Sequence, residues 1–236
     1  MLRIYLFILT LCLVTIWQPV MASESLDYSI ARGGKLYDKW FKVNSYSTPK
    51  LANPAYPDRG AYKNKKGADW RCKECHGWDY RGEGGAYSTG KHFTGIVGIF
   101  QANTISEAQL ASILRGQQHG YTTDMLSDKD LIDLTNFIRT GMVEMDKYIN
   151  RKTKMVTGHV SKGVSYYQTI CAGCHGLDGK EEEDASPLGK LSNKNPWETM
   201  HKILNGQPGA DMPAMRALNM QISVDILAYL QTLPKE

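Results

Sequence analysis

Apolar side chains recur at helical spacing in several separate stretches, and those stretches set the expected elements. Ile30, Leu36, Tyr37, Trp40 and Phe41 line one face of a helix expected over residues 30–43, with Asp27 or Ser29 as its cap. Residues 44–69 then lose the period and gain Pro49, Pro54, Pro57, Gly60 and Gly67, which predicts a long ordered loop. Loops of that length in a compact domain are often functional, although Tyr46, Tyr56 and Tyr62 also suit plain packing. Thr104 or Ser106 opens a helix running to residue 114, and residues 131–140 form another, capped from Ser127 and ended by Gly141. The charged, methionine-bearing stretch 142–157 reads as a linker whose order the pattern leaves open, with Met142, Met145 and Met155 as packing or surface residues. Three further helices are expected at 162–170, at 197–204 behind Pro196, and at 223–233, where Val224, Ile226, Leu227, Leu230 and Leu233 form a stripe. The class expected is all-α.

The order of elements repeats, and a chain of 236 residues fits two small domains. The division expected is 23–145 and 158–236, joined by a linker at 146–157. Residues 1–22 read as a secretory signal, with Arg3, an apolar run over 4–17 and Val20-Met21-Ala22 before the cleavage point. The run is short for a membrane span, which leaves an uncleaved anchor as the lesser alternative and export to the periplasm as the expectation. Losing Arg3 and no acid takes the formal charge from +4 to +3. So balanced a chain is not expected to bind nucleic acid. Lys63, Lys65 and Lys66, and the acidic run Glu181 to Asp184, read as solvated loops.

Chemistry concentrates in two short segments. Cys72-Lys73-Glu74-Cys75-His76 and Cys171-Ala172-Gly173-Cys174-His175 share one pattern, and glycine follows each, Gly77 and Gly176. Two thiols three positions apart with histidine directly after is the attachment pattern of covalent haem c. One turn of chain sets both sulfurs under the two vinyl groups of a porphyrin, and the imidazole turns to the iron as proximal ligand. A zinc site built from all four thiols is the alternative, but zinc needs no histidine after each pair. Of five cysteines, Cys12 leaves with the signal and the motifs consume the rest, so none is free for a disulfide or a nucleophile. The glycine-rich segment 78–85 can lay backbone close to a flat ring; without a preceding strand and a following helix it is no nucleotide loop. Two covalently bound haem c groups are therefore expected.

With these residues, the chain resembles the class I cytochromes c, as a tandem of two mono-haem domains spanning nearly all of the mature sequence, with the 44–69 loop inserted in the first. The resemblance implies that the first and last helices of each domain cross where a small residue meets an aromatic: Gly34 and Tyr37 with Phe137, Gly163 and Tyr167 with Tyr229. It also implies a distal methionine before the last helix, commonly followed by proline. Met212-Pro213-Ala214-Met215 fits, with Met212 as ligand and Met215 as packing. In the first half the loop from Gly116 to Met125 has no such proline; Met125 pairs with Met212 through the repeat, and His119 is the alternative. The axial set implied is His76, Met125, His175 and Met212. The function implied is electron transfer between protein redox partners, a donor and an acceptor, with membrane association only through a membrane-bound redox complex. Some tandem di-haem relatives are enzymes, among them thiosulfate dehydrogenases, which use a distal cysteine that this chain lacks. A di-haem oxidoreductase acting on a small inorganic substrate is the second reading, with Lys91, His92, His119 and Tyr121 as acid–base candidates. A subunit held permanently in a larger complex is the third.

Overall fold

A computed structural model describes residues 24–182 and 186–236. The expected signal segment and Glu183 and Asp184 of the acidic run lie outside the described residues. Helices account for the regular structure: α1 Leu26–Val43, α2 Cys72–His76, α3 Glu107–Arg115, α4 Asp128–Asn136, α5 Val160–Ile170, α6 Ala172–His175, α7 Leu188–Lys194, α8 Pro196–Asn205 and α9 Met220–Leu230. Among the described residues the only β pairing is two isolated antiparallel bridges, Gly82 with Val97 and Ile149 with Val156. The fold is all-α, as the spacing predicts.

Local chemistry explains where the helices begin. Ser25 rather than Asp27 or Ser29 caps α1, its hydroxyl accepting from the Tyr28 N–H at 3.2 Å. Ser106 and Ser127 cap α3 and α4, and each forms a reciprocal capping box, with Gln109 and Asp130. Pro196 occupies the first turn of α8, where its missing N–H costs nothing. The helix α7 has no counterpart among the elements expected from the sequence; it is short and follows the acidic run, with Gly189 packed under the backbone of Leu233 and Pro234.

Two glycines allow the principal crossings. A β-carbon on Gly33 of α1 would overlap the Asp133 carbonyl of α4 and come within 2.7 Å of the Phe137 β-carbon. A β-carbon on Gly163 of α5 would overlap the Asp225 carbonyl of α9 and lie 2.8 Å from the Tyr229 β-carbon. The aromatic partners follow, Tyr37 with Phe137 at 5.5 Å and Tyr167 with Tyr229 at 5.3 Å between ring centroids. The second crossing is the one the resemblance implied. In the first the glycine is Gly33, one residue before the expected Gly34, which faces the Asn205 side chain of α8 instead.

That contact shows how the halves are joined. α8 belongs by sequence to the second half, yet it seats on α1. His201 is fully buried there, with Nε2 2.9 Å from the Gly34 carbonyl and Nδ1 2.9 Å from the Tyr80 hydroxyl. A carbonyl only accepts, so Nε2 carries the proton and Nδ1 accepts from Tyr80. Lys202 reaches buried Asp38 at 2.8 Å, and Arg71 pairs with the same carboxylate. Burial pushes the Asp38 carboxyl up, but Lys202 and Arg71 outweigh it and hold it well below its ordinary range.

Residues 142–157 are ordered by contacts that their composition does not reveal. Met145 and Ile149 are buried, Arg151 bridges Asp79 at 2.7 Å and Asp146 at 2.8 Å, and Arg81 reaches Glu144 at 2.5 Å. Backbone bonds from Asn150 to Met155 and from Thr157 to Tyr148, both 2.9 Å, fold residues 148–157 back on themselves. Gln231 at the end of α9 holds the turn, accepting from the Val156 N–H at 3.1 Å and donating to the Lys154 carbonyl at 2.7 Å.

Candidate haem-attachment sites

Cys72 and Cys75 lie within one tight helical turn, α2, and Cys174 lies in α6 with Cys171 as the residue that opens it. The turns end alike. Gly77 (φ +78°) and Gly176 (φ +72°) leave the helix in a conformation that glycine adopts without strain. Their N–H groups donate back to Lys73 and Ala172, each at 2.9 Å. Tyr37, four residues after Gly33, donates its hydroxyl to the Gly77 carbonyl at 2.6 Å; Tyr167, four residues after Gly163, donates to the Gly176 carbonyl at 2.6 Å. Six residues beyond each histidine the chain returns, Gly82 N–H to the His76 carbonyl at 2.8 Å and Glu181 N–H to the His175 carbonyl at 3.3 Å. Replacing Tyr37 or Tyr167 by Phe removes one buried hydrogen bond and is expected to cost about 1–2 kcal/mol in a denaturant melt.

In the first site His76 Nδ1 lies 2.8 Å from the Val97 carbonyl. Nδ1 therefore donates, which fixes the tautomer and leaves the Nε2 lone pair to bind a metal, as ligating histidines commonly do. Burial lowers the His76 pKa, and the nearby His119 imidazole lowers it further. Burial also pushes Cys72 up to about 11, Cys75 up to about 12 and Cys171 up to about 11. None of the three is poised as a thiolate nucleophile. Cys174 is exposed, and no disulfide joins any of the four. Among the described residues no three His, Cys, Asp or Glu side chains gather as a metal site. Two thiols and a histidine on one turn, followed by a glycine-led return, suit a covalently attached haem.

The long loop 44–69 covers the first site. Trp70 Nε1 donates to the Leu51 carbonyl at 2.7 Å, and the buried Asp69 carboxylate accepts from the N–H groups of Asn53 and Asn64 at 3.0 and 2.9 Å. Tyr62 and Tyr87 stack on the two sides of His92 at 4.7 and 4.5 Å, and His92 Nδ1 meets the buried Glu74 carboxylate at 2.6 Å. The Tyr121 hydroxyl donates to the Trp70 carbonyl at 2.8 Å. Two of the four acid–base candidates are thus engaged in packing and pairing, and Lys91 is exposed.

The distal candidates differ. Met215 is buried, its N–H bonded to the Ile203 carbonyl at 3.1 Å, whereas Met212 is half-buried in the loop after α8, its carbonyl against Gly206. Met125 is half-buried at the core edge and its carbonyl accepts from Asn44 Nδ2 at 3.0 Å. His119 is half-buried with Nδ1 lacking a partner. The sequence reading did not find His201 or Asp38. His201 stands between Trp197 and Leu204 on one face of α8, and that apolar setting is the available signal; Asp38, flanked on its face by Lys35 and Lys42, carries none.

Residues 158–230 match the family model described as cytochrome c oxidase, cbb3-type, subunit III. The match supports a cytochrome c haem domain over the segment from α5 to α9, and domains of that family hold haem covalently. No curated protein matches the chain. Among solved structures, a chain titled "Kuenenia stuttgartiensis reducing HAO-like protein complex Kustc0457/Kustc0458" is similar at 14% identity, with 78% of this chain and 98% of that chain covered and a TM-score of 0.27. A likeness at that score bears on neither fold nor function. No helix among the described residues is long and apolar enough to cross a membrane.

Proposed function

We propose that the chain is an exported, periplasmic tandem of two cytochrome c domains, 23–145 and 158–236 joined by 146–157, which carries two covalent haems and passes electrons between protein redox partners. The supporting observation is the duplicated cradle. Glycine crossing, tyrosine four residues on, tyrosine hydroxyl to the glycine after the motif, and chain return six residues past the histidine occur at both motifs, the tyrosine standing 40 residues before its glycine partner in the first, where the long loop intervenes, and nine in the second. The first half, which the family model does not cover, has the same construction as the half that it does.

Cys72 and Cys75 would hold one haem by thioether bonds and Cys171 and Cys174 the other. His76 and His175 would be the proximal ligands. Haem supplies the reversible one-electron change; the protein's part is to fix axial ligands, bury the ring and set the potential. Val97 holds the His76 ring in register. Met212 would be the distal ligand of the second site, because Pro213 restricts the backbone beside it and Met215 is committed to the core. The distal ligand of the first site comes from the loop that holds both His119 and Met125.

The carrier reading is preferred over an oxidoreductase because His92 and Tyr121 are already committed to Glu74 and Trp70. Absorption and paramagnetic-resonance spectra of the purified ferric and ferrous protein test it. Two low-spin six-coordinate haems are expected. A high-spin ferric iron that responds to a small added anion would replace the carrier reading with the oxidoreductase one.

A further inference from the structure

We infer that His119, rather than Met125, is the distal ligand opposite His76, so that the two sites are unequal, one bis-histidine and the other histidine–methionine. This rests on the two-haem reading above.

The turn that carries His119 is pinned against the attachment segment. His119 and Gly120 both donate to the Gly116 carbonyl, at 3.2 and 2.8 Å. Gly120 adopts φ +69° and packs on Pro54 and Trp70. The next residue, Tyr121, lies edge-on to Trp70 at 5.3 Å and to Trp40 at 5.8 Å between centroids. Trp70 and Tyr121 therefore tie the turn to the chain just before Cys72.

The imidazole of His119 is left incomplete. Its Nδ1 is buried and makes no well-formed hydrogen bond, with the Ile113 backbone beside the imidazole. A buried polar atom so stranded costs about 1–3 kcal/mol. Donation from Nδ1 to a backbone carbonyl would remove that cost and leave the Nε2 lone pair for iron. His76 already has this arrangement, Nδ1 on the Val97 carbonyl and Nε2 free, and outer partners of this kind are what orient ligating imidazoles.

Met125 is tied to a different place. Its carbonyl accepts from Asn44 Nδ2, which also donates to Asp130 at 2.9 Å, and its N–H bonds the Thr122 carbonyl at 3.2 Å. These bonds fix Met125 to the seam between α1 and α4, two residues before the Ser127 cap.

The inequality gives the chain a direction. Histidine–methionine ligation raises the potential relative to bis-histidine, so electrons run downhill from the first site to the second.

The test uses full-length holoprotein, with the methionine-to-iron charge-transfer band and the paramagnetic-resonance spectrum as readouts. Wild type is expected to show one methionine-ligated and one bis-histidine haem. Met212→Leu should abolish the band, Met125→Leu should leave it at full intensity, and His119→Ala should make one haem high-spin while the band persists. If His119→Ala does not fold, the Met125→Leu spectrum decides alone, since leucine closely matches methionine in volume. Loss of half the band in Met125→Leu, with two haems present by mass, overturns the ligand assignment and leaves the two-haem reading standing. Fewer than two haems by mass overturns both.

Discussion

Gly33→Ala and Gly163→Ala are each expected to lower unfolding stability by about 3 kcal/mol or more, the upper end of what overpacking costs. Alanine is the better helix former, so propensity alone predicts the opposite sign. The crossing decides, because the added carbon would occupy the place of the Asp133 or Asp225 carbonyl, and backbone cannot move aside as a flexible side chain does. Gly173→Ala is the control. No atom lies within 4 Å of its new carbon, and no loss is expected there. Urea melts of the three variants read the result. Wild-type stability in Gly33→Ala would mean that α1 and α4 do not cross there.

The second large effect is a dependence on pH centred on His201. Burial lowers its pKa from an ordinary 6.5 to about 4. As pH falls from 6.5, the unfolded chain binds a proton that the folded chain refuses. Stability is therefore complete above 6.5, declines down to about 4 and is level again for this group below that, a loss of roughly 3 kcal/mol. Asp38 acts in a lower window. Its folded carboxyl is held below 3.8 by Lys202 and Arg71 against the opposing effect of burial, so its contribution is present above 3.8 and lost as pH falls further. The difference between wild type and His201→Gln isolates the upper window, because every other histidine is common to both. An unchanged slope between pH 4 and 6.5 in the variant would remove His201 as the cause.

What was legible in the sequence was local. The attachment motifs stand out because covalent chemistry needs two thiols and an imidazole within one turn. The helices carry their signals in neighbouring residues too: Ser127 before α4, Pro196 at the head of α8, and the Gly163, Tyr167 and Tyr229 set at the second crossing. Where the reading slipped, the deciding partner was distant in sequence. Gly33 replaces Gly34 because α8 lies against α1, a contact with no trace in either segment alone. The 142–157 stretch is ordered by Asp79, Arg81 and Gln231, which bind it from both halves. The distal ligand of the first site is hardest to read, since His119 and Met125 share one loop and only the packing of Gly120, Tyr121 and Asn44 separates them.

The central claim is that both motifs carry haem. The most direct measurement is the denatured mass of the full-length chain produced in cells with haem-attachment machinery. The account predicts the mature polypeptide plus two haems, surviving denaturation because the thioether bonds are covalent; a polypeptide carrying one haem or none would contradict it.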